Sequence, residues 1–400
     1  MSNLKNEIGQ SSRIRVCIVA PSLDVLGGQS RQAAQLLDGL RDEPTVKVDF
    51  IAHNPPLPSV LRKLQTIKYV RSLIATLRYC GMLLVQIPRY DVIHVFSAAY
   101  YSYLLWVLTA ILIARMYGKH SILHYHSGEA EDHLEHWPLT TVPIMRLAET
   151  IVVPSNYLVG VFARFGLEAH VISNIVELAR FRFRDRNPLR PVFLSSRLLE
   201  PLYNVGCILR AFASIQRRYP QASLTIAADG SLRSHLEQLA SDLGLRHTEF
   251  IGRVPFEAMP DLYDAADIYL NGNDIDNTPV SILESFASGL LVVTTEAGGI
   301  PYILEHEKTG LMVQCGDHEA LAASAIRLLE DPALTAKLAC NARESVTSFT
   351  QAAVCKEWLS LYRKITHLKI VPRGLVSPRS YETITHGRCS AKLRAKDECL

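Results

Sequence analysis

Two successive series of short apolar segments, separated by helix-length segments, constrain the fold more than any other feature of this chain. The first series has five β-rich runs, which are IRVCIVA from Ile14, VKVDFIA from Val46, DVIHVF from Asp91, SILHYH from Ser121 and TIVVPS from Thr150. Segments of helical length begin near Gly28, Val60, Tyr101 and Asn156. The runs are apolar without strict alternation, which is typical of parallel strands that are covered on both faces.

The alternation stops at a charged, proline-containing segment and then begins again. This segment, ISNIVELARFRFRDRNPLRP from Ile172, has no helical stripe, and we interpret it as an interdomain linker. Six more β-rich runs follow it, which are PVFLSS from Pro191, ASLTIAA from Ala222, TEFIG from Thr248, DIYLNG from Asp267, LLVVTT from Leu290 and GLMV from Gly310. Two such series predict an α/β chain with two parallel-sheet domains, and ligands of such sheets bind at the carboxyl ends of the strands.

The domain boundaries follow from these two series. We expect an N-terminal domain over residues 14–180, a C-terminal domain over residues 181–350, and a helix over residues 351–366 that returns to the N-terminal domain. Residues 1–13 are polar and are expected to be disordered, and they lack the apolar core of a secretory signal. The basic residues 367–400 have no periodicity and are expected to be poorly ordered.

Composition excludes several classes of protein. The net charge of +3 is too small to indicate a nucleic-acid partner, and 48% hydrophobic residues are enough for a large buried core. The eight cysteines form no C-x-x-C pair and no histidines stand at zinc spacing, so we expect reduced thiols, no metal and a cytoplasmic protein. The longest apolar stretch, residues 103–114, is shorter than the roughly 18 residues that span a bilayer.

The clearest local signal is the segment NDIDNTPVSILESFASG, which begins at Asn273. Thr278 is a suitable N-cap and Pro279 suits the first helical position, so we predict that a helix begins here after a loop. The start of a helix offers free backbone N–H groups and a positive dipole end, which suit a diphosphate. Glu284 could reach sugar hydroxyls from inside the helix, and Asp276 lies eight positions upstream. The alternative for each acid is a solvated side chain.

Four other positions follow predicted strands and are candidates for the same site. The glycine pairs Gly27–Gly28 and Gly298–Gly299 either let the backbone approach a phosphate or sugar, or form ordinary strand-to-helix turns. Arg197 ends PVFLSSR, and it could bind a diphosphate in a bidentate way or form a surface ion pair. His126 ends SILHYH and could contact a hydroxyl, although most single histidines are structural.

The order of the motifs resembles a known family. The matching segments are GGQSRQAAQLL, YHSG at His126, IVVPSNYL at Ser155, NIV at Asn174, SRLLEPLYN at Arg197, ADGSL at Asp229, FIGRVP at Gly252, MPDLYDAADIYLN, NTPVSILESFASG, AGGIP and KTGLMV. From about residue 14 to residue 365, the chain is similar to the retaining glycosyltransferases of family four, also called group 1. The resemblance implies the GT-B fold, in which two Rossmann-like, doubly wound domains face each other across a cleft.

The resemblance also implies roles for matched positions. It implies catalytic roles for three residues: Asp276 and His126 lie by the donor sugar, and Arg197 grips the diphosphate. It assigns Glu284 to the nucleotide ribose and the rest of the donor site to Asn277, Thr278, Pro279, Val280, Gly252 and Arg253. It assigns the loop beside the phosphates and acceptor to Gly27, Gly28 and Gln29.

Two matched positions depart from the family pattern. Asp276 stands where glutamate is usual, so its carboxylate has a shorter reach. Tyr203 stands where a lysine usually grips the diphosphate, and it cannot supply a cation. Some subgroups with sequences like LEPLYN share this tyrosine.

The expected reaction is transfer of a sugar from a nucleoside diphosphate to an acceptor hydroxyl with retention of configuration, in polysaccharide or glycoconjugate biosynthesis. The partners would be the nucleotide sugar, as co-substrate, and an acceptor glycan, lipid-linked glycan or small molecule; no further cofactor is expected. One alternative is an epimerase or phosphorylase on the same fold. Another, favoured by Tyr203, is a catalytically weakened nucleotide-sugar-binding protein. The missing G-x-G-x-x-G fingerprint disfavours a nicotinamide dehydrogenase.

Contact with a membrane surface is a separate question. Apolar residues over 60–88 are interspersed with five basic ones, which are Arg62, Lys63, Lys68, Arg71 and Arg78. This segment could lie on an anionic membrane, which would place the protein at the inner membrane face. The alternative is a helix on the sheet face with a basic outer side.

Overall fold

The computed structural model describes residues 13–23, 28–53, 68–97 and 103–367, with the side chains of 68–73 left out. These residues form two six-stranded parallel sheets flanked by helices. The prediction of an α/β chain with two parallel sheets is therefore confirmed. The predictions of a disordered N-terminus over residues 1–13 and of a poorly ordered tail over residues 367–400 lie outside the described residues, except at residue 13 and at His367, which ends the last helix.

The first sheet has the strand order β2-β1-β3-β4-β5-β6. Its strands are β1 Ile14–Ala20, β2 Val46–Ala52, β3 Val92–Phe96, β4 His120–His124, β5 Thr150–Val153 and β6 His170–Val171. Its helices are α1 Gly28–Leu40, α2 Lys68–Gln86, α3 Leu108–Met116, α4 Ala130–His136, α5 Pro138–Met145 and α6 Asn156–Arg164, and a π-helical turn over Tyr103–Val107 precedes α3. The start predicted near Val60 lies outside the described residues, and α2 is described from Lys68 onward.

The second sheet has the strand order β12-β11-β10-β7-β8-β9. Its strands are β7 Val192–Ser195, β8 Ser223–Ile226, β9 Thr248–Phe250, β10 Ile268–Asn271, β11 Leu291–Thr295 and β12 Leu311–Val313. Its helices are α7 Val205–Arg218, α8 Arg233–Asp242, α9 Met259–Ala265, α10 Val280–Ser288, α11 His318–Glu330 and α12 Pro332–Ser345. The last helix of the chain, α13 Gln351–His367, follows them.

Successive side chains of the inner strands enter cores on opposite sides of the sheet. In β1, Cys17 and Val19 belong to one core, whereas Val16 and Ile18 belong to another. Because both faces of the sheet are covered, neither set of alternating side chains has to be polar. This explains the continuous apolar runs of the sequence. Helix α13 completes the second of these cores with Trp358 and its neighbours, so the end of the described chain packs on the first sheet.

The charged segment between the two sheets is bound to the second one. Arg184 and Arg190 both donate to the buried carboxylate of Asp267, at 2.6 and 2.7 Å. Arg186 is buried and donates to the carbonyls of Ala266 and Tyr263. Although burial acts to raise it, the pKa of Asp267 is held below its usual value by these arginine hydrogen bonds. These three arginines therefore anchor the segment to the second sheet.

The order of the second sheet brings two candidate loops together. The chain runs outward from β7 to β9 in one direction and from β10 to β12 in the other, so β7 and β10 are neighbours at the switch point. Loops that follow two such strands diverge and leave a crevice at the carboxyl edge of the sheet. Arg197 follows β7 and Asp276 follows β10, so the topology alone places these two residues side by side.

Candidate functional site

Helix α10 begins one residue later than the sequence predicted, and it is capped differently. The residue before the helix is Pro279, and no side chain in the described part of the chain caps the first turn. The prediction that Thr278 is the N-cap is wrong, because its hydroxyl donates instead to the carbonyl of Pro154, 3.5 Å away in the first half. The start of α10 thus keeps its positive dipole end without a capping side chain.

Asp276 lies in the loop before α10 and is almost fully buried. Its Oδ2 accepts a hydrogen bond from Arg197 Nη2 at 2.6 Å, and its Oδ1 accepts one from the backbone N–H of Asn277 at 2.8 Å. Asn273 also donates to Oδ2. Burial raises the pKa of Asp276 above its usual value, and Arg197 and the two asparagines offset only part of that effect.

Arg197 lies two residues beyond the end of β7 and forms an ion pair with Asp276. Its guanidinium also lies 4.4 Å from the centre of the Tyr203 ring, in a cation–π contact. Within the described residues, its Nε is buried and has no hydrogen-bond partner. Arg197 is therefore a partly buried cation whose Nε is available to a ligand, and Tyr203 packs against that cation.

Glu284 lies on α10, with 4% of its surface exposed. Its Oε2 accepts a hydrogen bond from the hydroxyl of Tyr263 at 2.8 Å. Its Oε1 lies 2.9 Å from Nη1 of Arg31, which belongs to the first turn of α1 in the first half. An ion pair between the two halves thus holds the carboxylate that the resemblance assigns to ribose.

The loop between Asp276 and Glu284 is fastened to the first half by polar contacts. Ser155 donates to the side-chain oxygen of Asn277, and Asn174 donates to the carbonyl of Thr278 at 3.4 Å. Asn277, Thr278 and Pro279 are buried, and Val280 is half-buried. The predicted donor segment therefore lies in the cleft, between the carboxyl edges of both sheets.

The glycine pair Gly298–Gly299 makes room for this loop. A Cβ atom on Gly298 would lie 2.0 Å from the carbonyl oxygen of Asp276, and one on Gly299 would lie 1.8 Å from that of Asn277. The N–H of Gly299 donates to the carbonyl of Asp276 at 3.0 Å. The glycines therefore permit a close approach between two backbone segments, which neither sequence interpretation anticipated.

The remaining predicted positions are not joined to Asp276 or Glu284 by a described polar contact. Gly27 is outside the described residues, Gly28 is the first residue of α1, and Gln29 follows it. Gly252 has a φ of +76°, and Arg253 is exposed after β9. No described hydrogen bond or ion pair joins Gln29 or Arg253 to Asp276 or Glu284.

His126 packs against a group of buried aromatic and histidine side chains. It lies two residues beyond the end of β4, and its ring stacks on Phe96 and lies 3.9 Å from that of His124, centre to centre. His124 is hydrogen-bonded to His94 at 3.1 Å, and His94 to the hydroxyl of Tyr362 on α13 at 2.7 Å. Burial lowers the pKa of His126 and of His94 to about 3, so both rings are neutral at pH 7.

These neutral histidines predict a pH dependence of stability. A histidine of the unfolded chain titrates near about 6.5, so below that pH the unfolded state binds protons that the native state does not. The free energy of unfolding should therefore fall as the pH drops from about 6.5 towards 4, by up to about 1.4 kcal/mol per pH unit for each histidine. Urea unfolding of His94→Gln should show a shallower fall than the wild type. His136→Gln is the control, because His136 is exposed, and its free energy of unfolding should fall with pH as that of the wild type does. An equally steep fall for the wild type and His94→Gln would contradict the assignment of this pH dependence to the buried histidines.

Within the described ranges, no three His, Cys, Asp or Glu side chains are arranged to hold a metal ion. None of the helices described is both long and apolar enough to cross a bilayer.

Two family models match consecutive parts of the chain. The model for Glycosyltransferase Family 4 matches residues 26–180, and the model for Glycosyl transferases group 1 matches residues 179–345. Together they run from just before α1 to the end of α12, and they include both acids of the cleft.

Curated relatives match the chain over part of their length. The chain is 32% identical over 164 residues to a GDP-mannose-dependent alpha-(1-6)-phosphatidylinositol monomannoside mannosyltransferase of Mycolicibacterium smegmatis, which covers 38% of this chain and 43% of that protein. It is 30% identical over 204 residues to the lipopolysaccharide core biosynthesis glycosyltransferase LpsE of Rhizobium meliloti, covering 48% and 57%. The matched segments thus span about half the length of these relatives.

Solved structures share the fold over most of the chain. HepE of Anabaena in complex with UDP-glucose has a TM-score of 0.68 at 18% identity, and covers 88% of this chain and 100% of its own. Sucrose-phosphate synthase from Thermosynechococcus elongatus has a TM-score of 0.71 at 19% identity, covering 89% and 100%. With two matching family models and this shared architecture, the chain belongs to the GT-B glycosyltransferases of the Family 4 and group 1 type.

Proposed function

We propose that this chain transfers a sugar from a nucleoside-diphosphate sugar to an acceptor hydroxyl with retention of configuration, in polysaccharide or glycoconjugate biosynthesis. The observation that carries the proposal is the convergence of Arg197, Asp276 and Glu284 at the uncapped start of α10. Relatives named for lipopolysaccharide core and amylovoran biosynthesis support the pathway class, and a neighbour that binds UDP-glucose supports the donor class.

The leaving group determines what the protein must do. The bond between the anomeric carbon and the phosphate oxygen breaks, a bond to the acceptor oxygen forms, and the acceptor's proton is released. Negative charge therefore grows on the diphosphate as it departs, and preorganised donors that face this charge lower the barrier. In the proposal, the free N–H groups of α10 and the unpartnered Nε of Arg197 supply those donors, without a metal ion.

The two acids have different tasks in this proposal. Asp276 already accepts hydrogen bonds from Arg197, Asn273 and Asn277, so we assign it to orienting Arg197 beside the donor sugar. Glu284 takes the ribose hydroxyls, since a carboxylate is an acceptor with two oxygens. His126 contacts a sugar hydroxyl as a neutral ring, because burial lowers its pKa to about 3.

The experiment measures release of nucleoside diphosphate after thermal-shift screening has identified a nucleotide sugar that the protein binds. A ligand that binds only the folded state raises the melting midpoint. We expect release that requires an added acceptor, and a product with the anomeric configuration of the donor. Release without an acceptor would indicate transfer to water, a nucleotide sugar epimerised without release would favour the epimerase alternative, and binding without turnover would favour a weakened binding protein. An inverted product would contradict retention.

We also propose that the protein contacts an anionic membrane surface peripherally. Helix α2 exposes Leu77, Leu84 and Val85, and the neighbouring α3 exposes Leu112 and Met116. Arginines flank these side chains in the sequence, and apolar side chains beside basic ones bind anionic interfaces. Of the basic residues noted above, Arg62 and Lys63 lie outside the described residues, and the side chains of Lys68 and Arg71 are not described. In flotation, anionic vesicles should carry the wild type but not Leu77→Asp/Val85→Asp; flotation of both would contradict this surface.

A further inference from the structure

The proposed donor site has fewer available cations than its ligand requires. A nucleoside diphosphate carries more than one negative charge, whereas Arg197 is already neutralised by Asp276. Tyr203 provides a ring beside Arg197 and no positive charge. A further cation close to the ribose-binding carboxylate would complete the site.

Arg31 meets this requirement from the first half of the chain. Its Nη1 lies 2.9 Å from Glu284, and only a quarter of its side-chain surface is exposed. Its Nε and Nη2 are buried and have no hydrogen-bond partner within the described residues. Buried donors without acceptors are unfavourable, so an anionic ligand that accepts from them is bound more strongly.

The orientation of Arg31 is fixed by an aromatic ring. Its guanidinium carbon lies 3.3 Å from the centre of the Phe256 ring, and that of Arg180 lies 3.5 Å from the same centre. Two guanidinium groups cannot occupy one face at these distances, so they lie on opposite faces of the ring. Arg31 is thus held in place before a ligand arrives, which reduces the entropy lost on binding.

From these contacts, we propose that Arg31 binds the donor diphosphate and supplies the cation that Tyr203 lacks. In this inference, which rests on the proposed function, the ribose hydroxyls replace Nη1 at Glu284. The diphosphate then accepts from the unpartnered Nε and Nη2, which lie on one edge of the guanidinium. Because Arg31 lies on α1 and Glu284 on α10, the bound donor would link both halves of the chain.

Calorimetry with a nucleoside diphosphate and with its parent nucleoside tests this inference. In Arg31→Ala, the diphosphate affinity should fall by about tenfold or more, as one lost charge-assisted contact implies. Nucleoside affinity should change much less, because the nucleoside carries no phosphate. Arg31→Lys should recover part of the loss, since it keeps the charge but not the guanidinium fork.

Arg180→Ala is the matched control, because it removes the other guanidinium on Phe256 and keeps Arg31. Its diphosphate affinity should stay within about twofold of wild type, which is about 0.4 kcal/mol. Tighter diphosphate binding by Arg31→Ala would overturn the inference, since Arg31 would then only compete for Glu284. Equal losses for both ligands would overturn it too, by indicating a packing role. A wild type that binds no nucleoside diphosphate would instead refute the proposed function. If Arg31→Ala does not fold, Arg31→Lys provides the same comparison of ligands.

Discussion

Arg197→Ala should lower the turnover of sugar transfer by about 100-fold or more, which is the scale seen when one preorganised donor to a developing anion is removed. The side chain would lose its contact with the departing diphosphate. The change would also leave Asp276 buried without its cation, so the pKa of that carboxyl would rise further above its usual value. We expect the loss mainly in kcat, since the interaction strengthens as the leaving group gains charge.

The control for this variant is Arg218→Ala on α7. Arg218 also forms an arginine–carboxylate pair, with Glu330, but its side chain is 67% exposed at the surface. Exposed pairs contribute little, about 0–1 kcal/mol, so this variant should keep wild-type turnover. Near-normal turnover by a folded Arg197→Ala protein, shown by circular dichroism, would refute the assigned role.

Gly299→Ala should weaken binding of the nucleotide sugar by about tenfold or more, with 1–3 kcal/mol lost from the stability of the fold. The added Cβ would lie 1.8 Å from the carbonyl oxygen of Asn277, so the loop before α10 would have to move. The hydrogen bond from the N–H of Gly299 to Asp276 would be disturbed as well. Since this loop positions Asp276 and the start of α10, a small shift affects every contact to the donor.

The matched control is Gly160→Ala in helix α6, where a Cβ would meet no atom within 4 Å. A helical Gly→Ala change of this kind leaves stability equal or up to about 1 kcal/mol higher. Binding by calorimetry and the melting midpoint together report the effect. A Gly299→Ala protein with wild-type affinity would show that the approach of the two backbones does not determine the donor site.

The fold could be predicted because its determinants are local in the sequence. Strands covered on both faces appear as continuous apolar runs, and the restart of the alternation after β6 indicates the second sheet. Positions just past the strands were also informative. Arg197 and Asp276 follow β7 and β10, and the switch point between those strands brings the two residues into contact.

The errors and omissions concern contacts between distant segments. Thr278 has the local character of an N-cap, but its hydroxyl is used by Pro154 of the first half. The pairing of Arg31 with Glu284 has no short-range signal beyond the position of Arg31, three residues after Gly28 in the first turn of α1. Glycine is needed at positions 298 and 299 because the backbone there lies close to the loop before α10. The residues around the glycine pair give no sign of this contact in the sequence.

The central claim is that the segment from Asp276 to Glu284 binds the nucleotide sugar, and calorimetry of Glu284→Gln with a nucleoside diphosphate tests it most directly. Glutamine keeps the shape of the side chain and an oxygen for the hydroxyl of Tyr263, but it replaces one ribose acceptor with a donor. We predict that the wild type binds the nucleoside diphosphate and that the folded variant binds it at least about tenfold more weakly. Wild-type affinity in the folded variant would contradict the assignment of this segment to the donor.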